Sequence, residues 1–173
     1  GNDFAKSIGI LLPEDLKRVL EEPKVMKSRY LALSFNDFNK ICLTSAGVGL
    51  LSEAAFRASK MPILQGGLLY AVSALACFAN LKTHHYEIKS SEKTVLHEPL
   101  VIIVAASTPF AGGGMFIAPE AGKERDKLNL LYAGKVSRIE AIGLLKKVFS
   151  GKHLNHKKVT NLHLKDICIN TKE

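Results

Sequence analysis

Three consecutive glycines, Gly112, Gly113 and Gly114, follow closely on the polar pair Ser107 and Thr108. A run of glycines leaves backbone N–H groups open to approach, and such a bend can receive a phosphate or a glycerol headgroup. The same residues also suit a bulge and bend between strands. Both readings stay open on sequence alone. Asn2 and Asp3 stand directly before Phe4, where either side chain can cap a helix. His153 and His156 have the spacing of a zinc pair, yet no cysteine or carboxylate lies near them to complete a tetrahedral set. Surface or capping roles are expected for them and for the adjacent His84 and His85. Gly47 and Gly49 make a G-x-G, but Ser52 stands where a dinucleotide fingerprint needs its third glycine, and no acidic residue closes the unit. A tight strand-to-helix turn is the expected role there. Neither a phosphate-binding G-x-x-x-x-G-K-[ST] loop nor a C-x-x-C pair occurs. Cys42, Cys77 and Cys168 are expected to be reduced, buried, small apolar side chains.

Positioning these groups needs a folded core, and the composition supplies one. The chain has 173 residues, 47% hydrophobic and 23% charged, which suits one globular domain without disulfide or metal staples. Its net charge of +8 attracts anions: nucleotides, nucleic acid or an acidic membrane face. The basic residues are dispersed and match no nucleic-acid motif, so no nucleic-acid partner is expected. The longest apolar stretch, residues 66–79, is short for a membrane span. The first residues lack the pattern of a signal peptide. The sequence begins abruptly, as though cut from something larger.

Apolar spacing predicts a helical turn over 3–12, stopped by Pro13, and a helix over 15–21. Strands over 30–35 and 38–44 around Asn36 and Asp37 predict a hairpin. A helix is expected over 51–59. Another over 68–80 should pack the face carrying Leu68, Leu69, Val72, Leu75, Ala76 and Ala79 against the core. Residues 85–89, 94–98, 115–118, 128–133, 159–163 and 166–170 read as strands. The unbroken apolar run over 100–106 reads as a strand buried on both faces. A helix over 136–149 should end at Gly151. Many strands with few helices predict an α+β, β-rich chain, a two-sheet β-sandwich with a few packed helices.

Taken in order, several segments carry a family signature. Gly112-Gly113-Gly114-Met115 followed by Ile117-Ala118-Pro119-Glu120-Ala121 resembles the GGGMxIAPxA signature of the bacterial diacylglycerol kinase/sphingosine kinase-like lipid kinases of the YegS/BmrU type. Val136-Ser137-Arg138 and Val148-Phe149-Ser150-Gly151-Lys152-His153 match that family's next landmarks in order and spacing. Asn2-Asp3-Phe4-Ala5-Lys6 resembles the end of its GTxNDFAR motif, and residues 44–49 sit at its small-residue strand end.

The resemblance implies the C-terminal domain of the NAD kinase/diacylglycerol kinase-like fold, with 1–22 as hinge helices and 23–173 as the β-sandwich. It implies a missing N-terminal ATP-binding domain, because no GGDGT motif is present. The expected function is the substrate side of an ATP-dependent lipid kinase acting on diacylglycerol or a related lipid, inactive as a fragment. The alternative is a family member that binds lipid or nucleotide without phosphoryl transfer. By position, Asp3 and Asn2 would be catalytic, and Ser107, Thr108, Gly112, Gly113 and Gly114 would bind the cofactor. Lys123 and Leu128 carbonyls with the Asp126 carboxylate would take Mg²⁺, and ATP would be co-substrate. The loop departs from the family's DDGLLD pattern: Arg125 replaces an acid, Lys127 a glycine and Asn129 the last acid. Ala32 stands at a family aspartate, no terminal Asp-Gly-Glu turn is present, and Asp166 does not replace it by position. The implied setting is cytoplasmic, peripheral to the inner membrane face, with lipid at an anionic surface and a homodimer as partners.

Overall fold

The computed structural model describes residues 2–25, 27–61, 66–91, 94–124 and 126–172. Its organising element is strand β5 (Thr94–Ala106), thirteen residues long. Leu100, Ile103 and Val104 are fully buried, and Val101, Ala105 and Ala106 nearly so. Each such aliphatic side chain contributes about 1.5–3 kcal/mol by leaving water. The predicted strands over 94–98 and 100–106 are therefore one strand. Pro99 is tolerated inside it because the pairing with β6 (Leu128–Gly134) begins only at Leu100.

The sheet runs β7 (Val159–Leu164), β6, β5, β4 (His84–Lys89), β8 (Cys168–Lys172), every neighbour antiparallel. Strand β3 (Ser45–Gly49) pairs with residues 102–106 of β5, and β4 pairs with its first half. The two share one side of β5, end to end. One face of this sheet carries Tyr86, Ile88, Leu130, Tyr132 and Leu164 as a single buried cluster. A second sheet lies over that side: the hairpin of β1 (Leu31–Phe35) and β2 (Phe38–Cys42). Asn36 turns it at φ 49, a left-handed conformation that asparagine tolerates. A space of about 1010 Å³ separates β1 from β3 and β8. The opposite face of the large sheet is covered by α3 (Leu50–Ser59), α4 (Gly66–Phe78) and α5 (Arg138–Val148). Two sheets with a few helices give the expected α+β, sandwich-like class.

Several local expectations are corrected. Helix α1 (Asp3–Ser7) stops early, and Gly9 turns away at φ 84. The second helix, α2 (Pro13–Glu21), begins at Pro13 itself, two residues before the expected start at Asp15. A missing N–H costs nothing at a first helical position, and the Asp15 carboxylate accepts the Leu11 and Leu12 N–H groups, both at 3.0 Å. Residues 115–118 are not a strand: Met115 makes one isolated bridge to Ala111. Helix α4 buries Ser73, Ala74, Cys77 and Phe78, while Leu68 and Leu75 are exposed. That helix is apolar nearly all round, so periodicity could not choose its inner face. Of the cysteines, Cys77 alone is buried; Cys42 is half-buried and Cys168 exposed.

Helix α5 shows how local chemistry fixes an end. Ser137 Oγ accepts the Glu140 N–H at 3.2 Å, and the Glu140 carboxylate accepts the Ser137 N–H at 2.7 Å. Lys158 Nζ lies 3.0 Å from both Glu140 oxygens. These bonds, the Ser137 N–H first, lower the Glu140 carboxyl to about 2. A depressed carboxyl stabilises the fold above its unfolded value and loses that contribution as pH falls through the folded one. Ser137→Ala is expected to lower the unfolding free energy by about 1 kcal/mol in denaturant titration. Glu140→Gln is expected to lower Tm at neutral pH and to lose less further Tm than wild type between about pH 5 and pH 2.

Candidate functional site

The glycine bend is built by three successive left-handed residues, Gly112 at φ 65, Gly113 at 80 and Gly114 at 97. That backbone turns consecutive N–H groups toward one concavity. A carboxylate of the same chain fills it. Asp3 Oδ2 accepts the Gly113 N–H at 3.0 Å, and Oδ1 accepts the Gly114 N–H at 2.5 Å. The Lys6 ammonium, one turn along α1, lies where a side chain on Gly114 would have to go. Asp3 is thus the first residue of α1 and points away from its own helix, to a loop 110 residues on. Asn2 is the capping residue, makes no side-chain cap bond and is exposed.

Ser107 and Thr108, at the end of β5, are both buried, and Ser107 lines the space between the two sheets. The Ser107 hydroxyl bonds to the carbonyl oxygens of Leu43 and Thr44, at 2.9 and 3.1 Å, which fastens the end of β5 to the entry of β3. Thr108 Oγ1 is buried with no hydrogen-bond partner. At Gly49, φ 74 and the nearby Val101 carbonyl leave no room for a side chain, so the G-x-G serves the β3-to-α3 turn as expected.

Between the sheet and α3, α4 and α5 lies an apolar cavity of about 470 Å³. Leu51, Phe78, Val101, Leu131, Leu144 and Val148 form much of its wall, and Asp3, Gly112 and His153 also line it. Ala54, Ala74 and Ala141 leave the room, because small residues stand at the inner faces of all three helices. Alanines recurring inside apolar helices were the available signal for this space. His153 is buried rather than at the surface. Its Nε2 lies 2.9 Å from the Ile117 carbonyl, which can only accept, so that nitrogen carries the proton. Burial, partly opposed by backbone carbonyls, pushes its pKa down, and the ring is neutral near pH 7. His84 and His85 are exposed, and among the described residues no group of three or more metal-ligating side chains occurs.

The loop entering β6 places Lys123, Asp126 and Leu128 together in sequence, with Asp126 at φ 64. Glu124 and Lys127 of this loop are already paired. Lys127 Nζ lies 3.0 Å from Glu124 Oε2, and His163 Nδ1 lies 3.1 Å from Glu124 Oε1. Arg29 Nη1 donates to the Glu124 carbonyl oxygen. Asn129 is buried and donates to Asn161 Oδ1 at 2.7 Å and to the Leu162 carbonyl at 3.1 Å. These residues do not fit a divalent cation, which wants converging oxygen ligands and no competing cations. Arg29 had no local sequence signal. Ala32 is exposed on β1, paired with Ile41. Asp166 accepts the Ser91 N–H at 2.7 Å and so closes a turn.

An antiparallel sheet, helices on one face and a glycine bend beside an apolar cavity make up the domain. Residues 44–173 match the family model described as the YegS C-terminal NAD kinase beta sandwich-like domain, and the chain belongs to that family. Two solved structures described as a "putative diacylglycerol kinase" from Bacillus anthracis str. Sterne share the fold, with TM-scores of 0.62 and 0.67. Each is 18% identical, and each covers 99% of this chain. The chain spans 56% of the length of either. No curated protein matches the sequence.

Asp3→Asn is expected to lower the unfolding free energy by about 2 kcal/mol, the scale of hydrogen bonds to a charged group. Amide exchange over 111–115 should accelerate with it. Gly114→Ala is expected to act in the same direction, since its backbone conformation at φ 97 opposes a side chain.

Proposed function

We propose that this chain forms the lipid side of an ATP-dependent kinase that phosphorylates a hydroxyl of diacylglycerol or a related lipid. The observation that carries the reading is the apolar cavity with the Asp3-held glycine bend on its wall. A cavity of about 470 Å³ lies within the range of small-molecule sites. Each buried methylene of an acyl chain would contribute about 0.8 kcal/mol of binding.

In the reaction, the lipid hydroxyl oxygen bonds to the γ-phosphorus of ATP while the bond from that phosphorus to the bridging oxygen breaks. ADP leaves, and the hydroxyl proton passes to a base. The bulk of ATP would be held by a nucleotide-binding lobe of a longer polypeptide, and Mg²⁺ would arrive as the metal complex of ATP. From this chain, Asp3 fixes the bend and turns its remaining lone pairs toward the incoming hydroxyl, with Asn2 beside it. Gly112, Gly113 and Gly114 form the wall against the headgroup. The work would be done at the inner face of a membrane, in the cytoplasm. The outer surface of α3, α4 and α5 suits this, with exposed Phe56, Leu68, Ile139 and Phe149 among Arg57, Lys60, Lys146 and Lys147. Among the described residues no helix is long and apolar enough to cross a membrane.

A second reading, lipid binding without transfer, is favoured by one observation. The Gly113 and Gly114 amides already hold Asp3, which leaves fewer donors for a moving phosphate. The longer polypeptide with its nucleotide-binding lobe, given labelled ATP with diacylglycerol or sphingosine vesicles, separates the two. Label is expected on diacylglycerol. Ala74→Leu, which narrows the cavity, is expected to raise KM for long-chain lipid about tenfold, close to one lost methylene or two, with ATP affinity unchanged. Lipid binding without transfer supports the second reading. Neither binding nor transfer overturns the proposal.

A further inference from the structure

Residues 122–128 lead into β6 and stand where the family resemblance expects a divalent cation. The groups around them form a closed charge network instead. Arg29, from the segment just ahead of β1, donates to the Glu124 carbonyl oxygen. Lys127 Nζ holds one Glu124 carboxylate oxygen at 3.0 Å, and His163 Nδ1 of β7 lies 3.1 Å from the other. His163 Nε2 reaches back to the Glu120 carbonyl at 3.2 Å, and Lys123 Nζ pairs with the Glu120 carboxylate at 2.6 Å. Among the described residues, Glu120 and Glu124 thus pair with Lys123, Lys127 and His163, and Arg29 sits on the backbone.

We infer that Arg29 and Lys127 are the built-in cations of this loop, closing it on Glu124 without a divalent ion and fastening the β1–β2 hairpin to the start of β6. The chemistry of each position supports this. The carbonyls that the resemblance offers to a metal are those of Lys123 and Leu128, and the guanidinium on the Glu124 carbonyl sets a permanent positive charge beside the first of them. Arginine suits the role because its planar charge is permanent and its donors are fixed in direction. Lys127 puts an ammonium where the family has glycine, so an incoming dication meets a like charge next to Asp126. Asn129, at the family's last acidic position, turns its amide to Asn161 and Leu162 and locks β6 to β7. A side chain used in that way is not available to the loop.

The clamp also spans the fold. Arg29 lies 95 residues before Glu124. Its contact joins the small sheet to the large one at the rim of the space between them, which Arg29, Asp126, Lys127 and Leu128 all line. The inference does not depend on the proposed kinase role: it concerns what holds the loop, whatever the domain binds.

Hydrogen exchange of the full chain, read by mass spectrometry in the peptides covering 118–132 and 28–42, tests it without nucleotide present. Wild type is expected to exchange equally in excess EDTA and in millimolar Mg²⁺. Arg29→Met and Lys127→Met are each expected to speed exchange over 118–132 about tenfold, the scale of one hydrogen bond to a charged group. Arg29→Met should also speed exchange over 28–42. Slower exchange over 118–132 in Mg²⁺ than in EDTA would overturn the inference, as would wild-type exchange in both variants. Should Arg29→Met fail to fold, Lys127→Met and the metal comparison on wild type still decide.

Discussion

Everything in this domain is arranged by the need to bury β5 along both faces. A strand that is apolar at successive positions cannot leave either side in water. One side is met by the cluster around Tyr86, Ile88 and Leu164, the other by helices α3, α4 and α5. The helices do not seal completely onto the sheet, because Ala54, Ala74 and Ala141 are too small to fill the space beneath them. A cavity lined by leucine, valine and phenylalanine is the result. The layer that completes the core is therefore the same layer that shapes the binding space.

The second constraint is backbone electrostatics at the glycine bend. Consecutive left-handed glycines aim their amides at one point, and an anion must answer them. Asp3 does so from a helix at the far end of the chain. One ionic contact thus both completes the bend and fixes where α1 lies against the domain. It sets a carboxylate on the wall of the apolar cavity, which is the juxtaposition on which the kinase reading rests. By contrast, α2 buries none of its residues, and the Leu16 and Leu20 side chains on it are exposed.

Membership in the YegS-type sandwich family and divergence within it are both written in the loop before β6. Asp126 adopts a left-handed turn there and β6 starts at Leu128. Against the pattern that the resemblance offers, arginine, lysine and asparagine stand in place of acids and glycine. Lys127 and Arg29 supply attraction for the oxygens of Glu124 from groups that cannot dissociate from the chain.

What the residues determined unaided were features set over a few neighbours. The Asn36-Asp37 turn, the two-faced apolar strand and the ordered family motifs are all of this kind, because propensity and periodicity act locally. The β-rich class followed from them. Tertiary structure decided what depends on distant partners. It chose the inner face of the evenly apolar α4, buried His153, merged two predicted strands across Pro99 and turned Asp3 toward Gly113 and Gly114. It also brought Arg29 to Glu124. None of these contacts leaves a local trace, since each is selected by packing and charge between segments that only folding brings within a few ångströms.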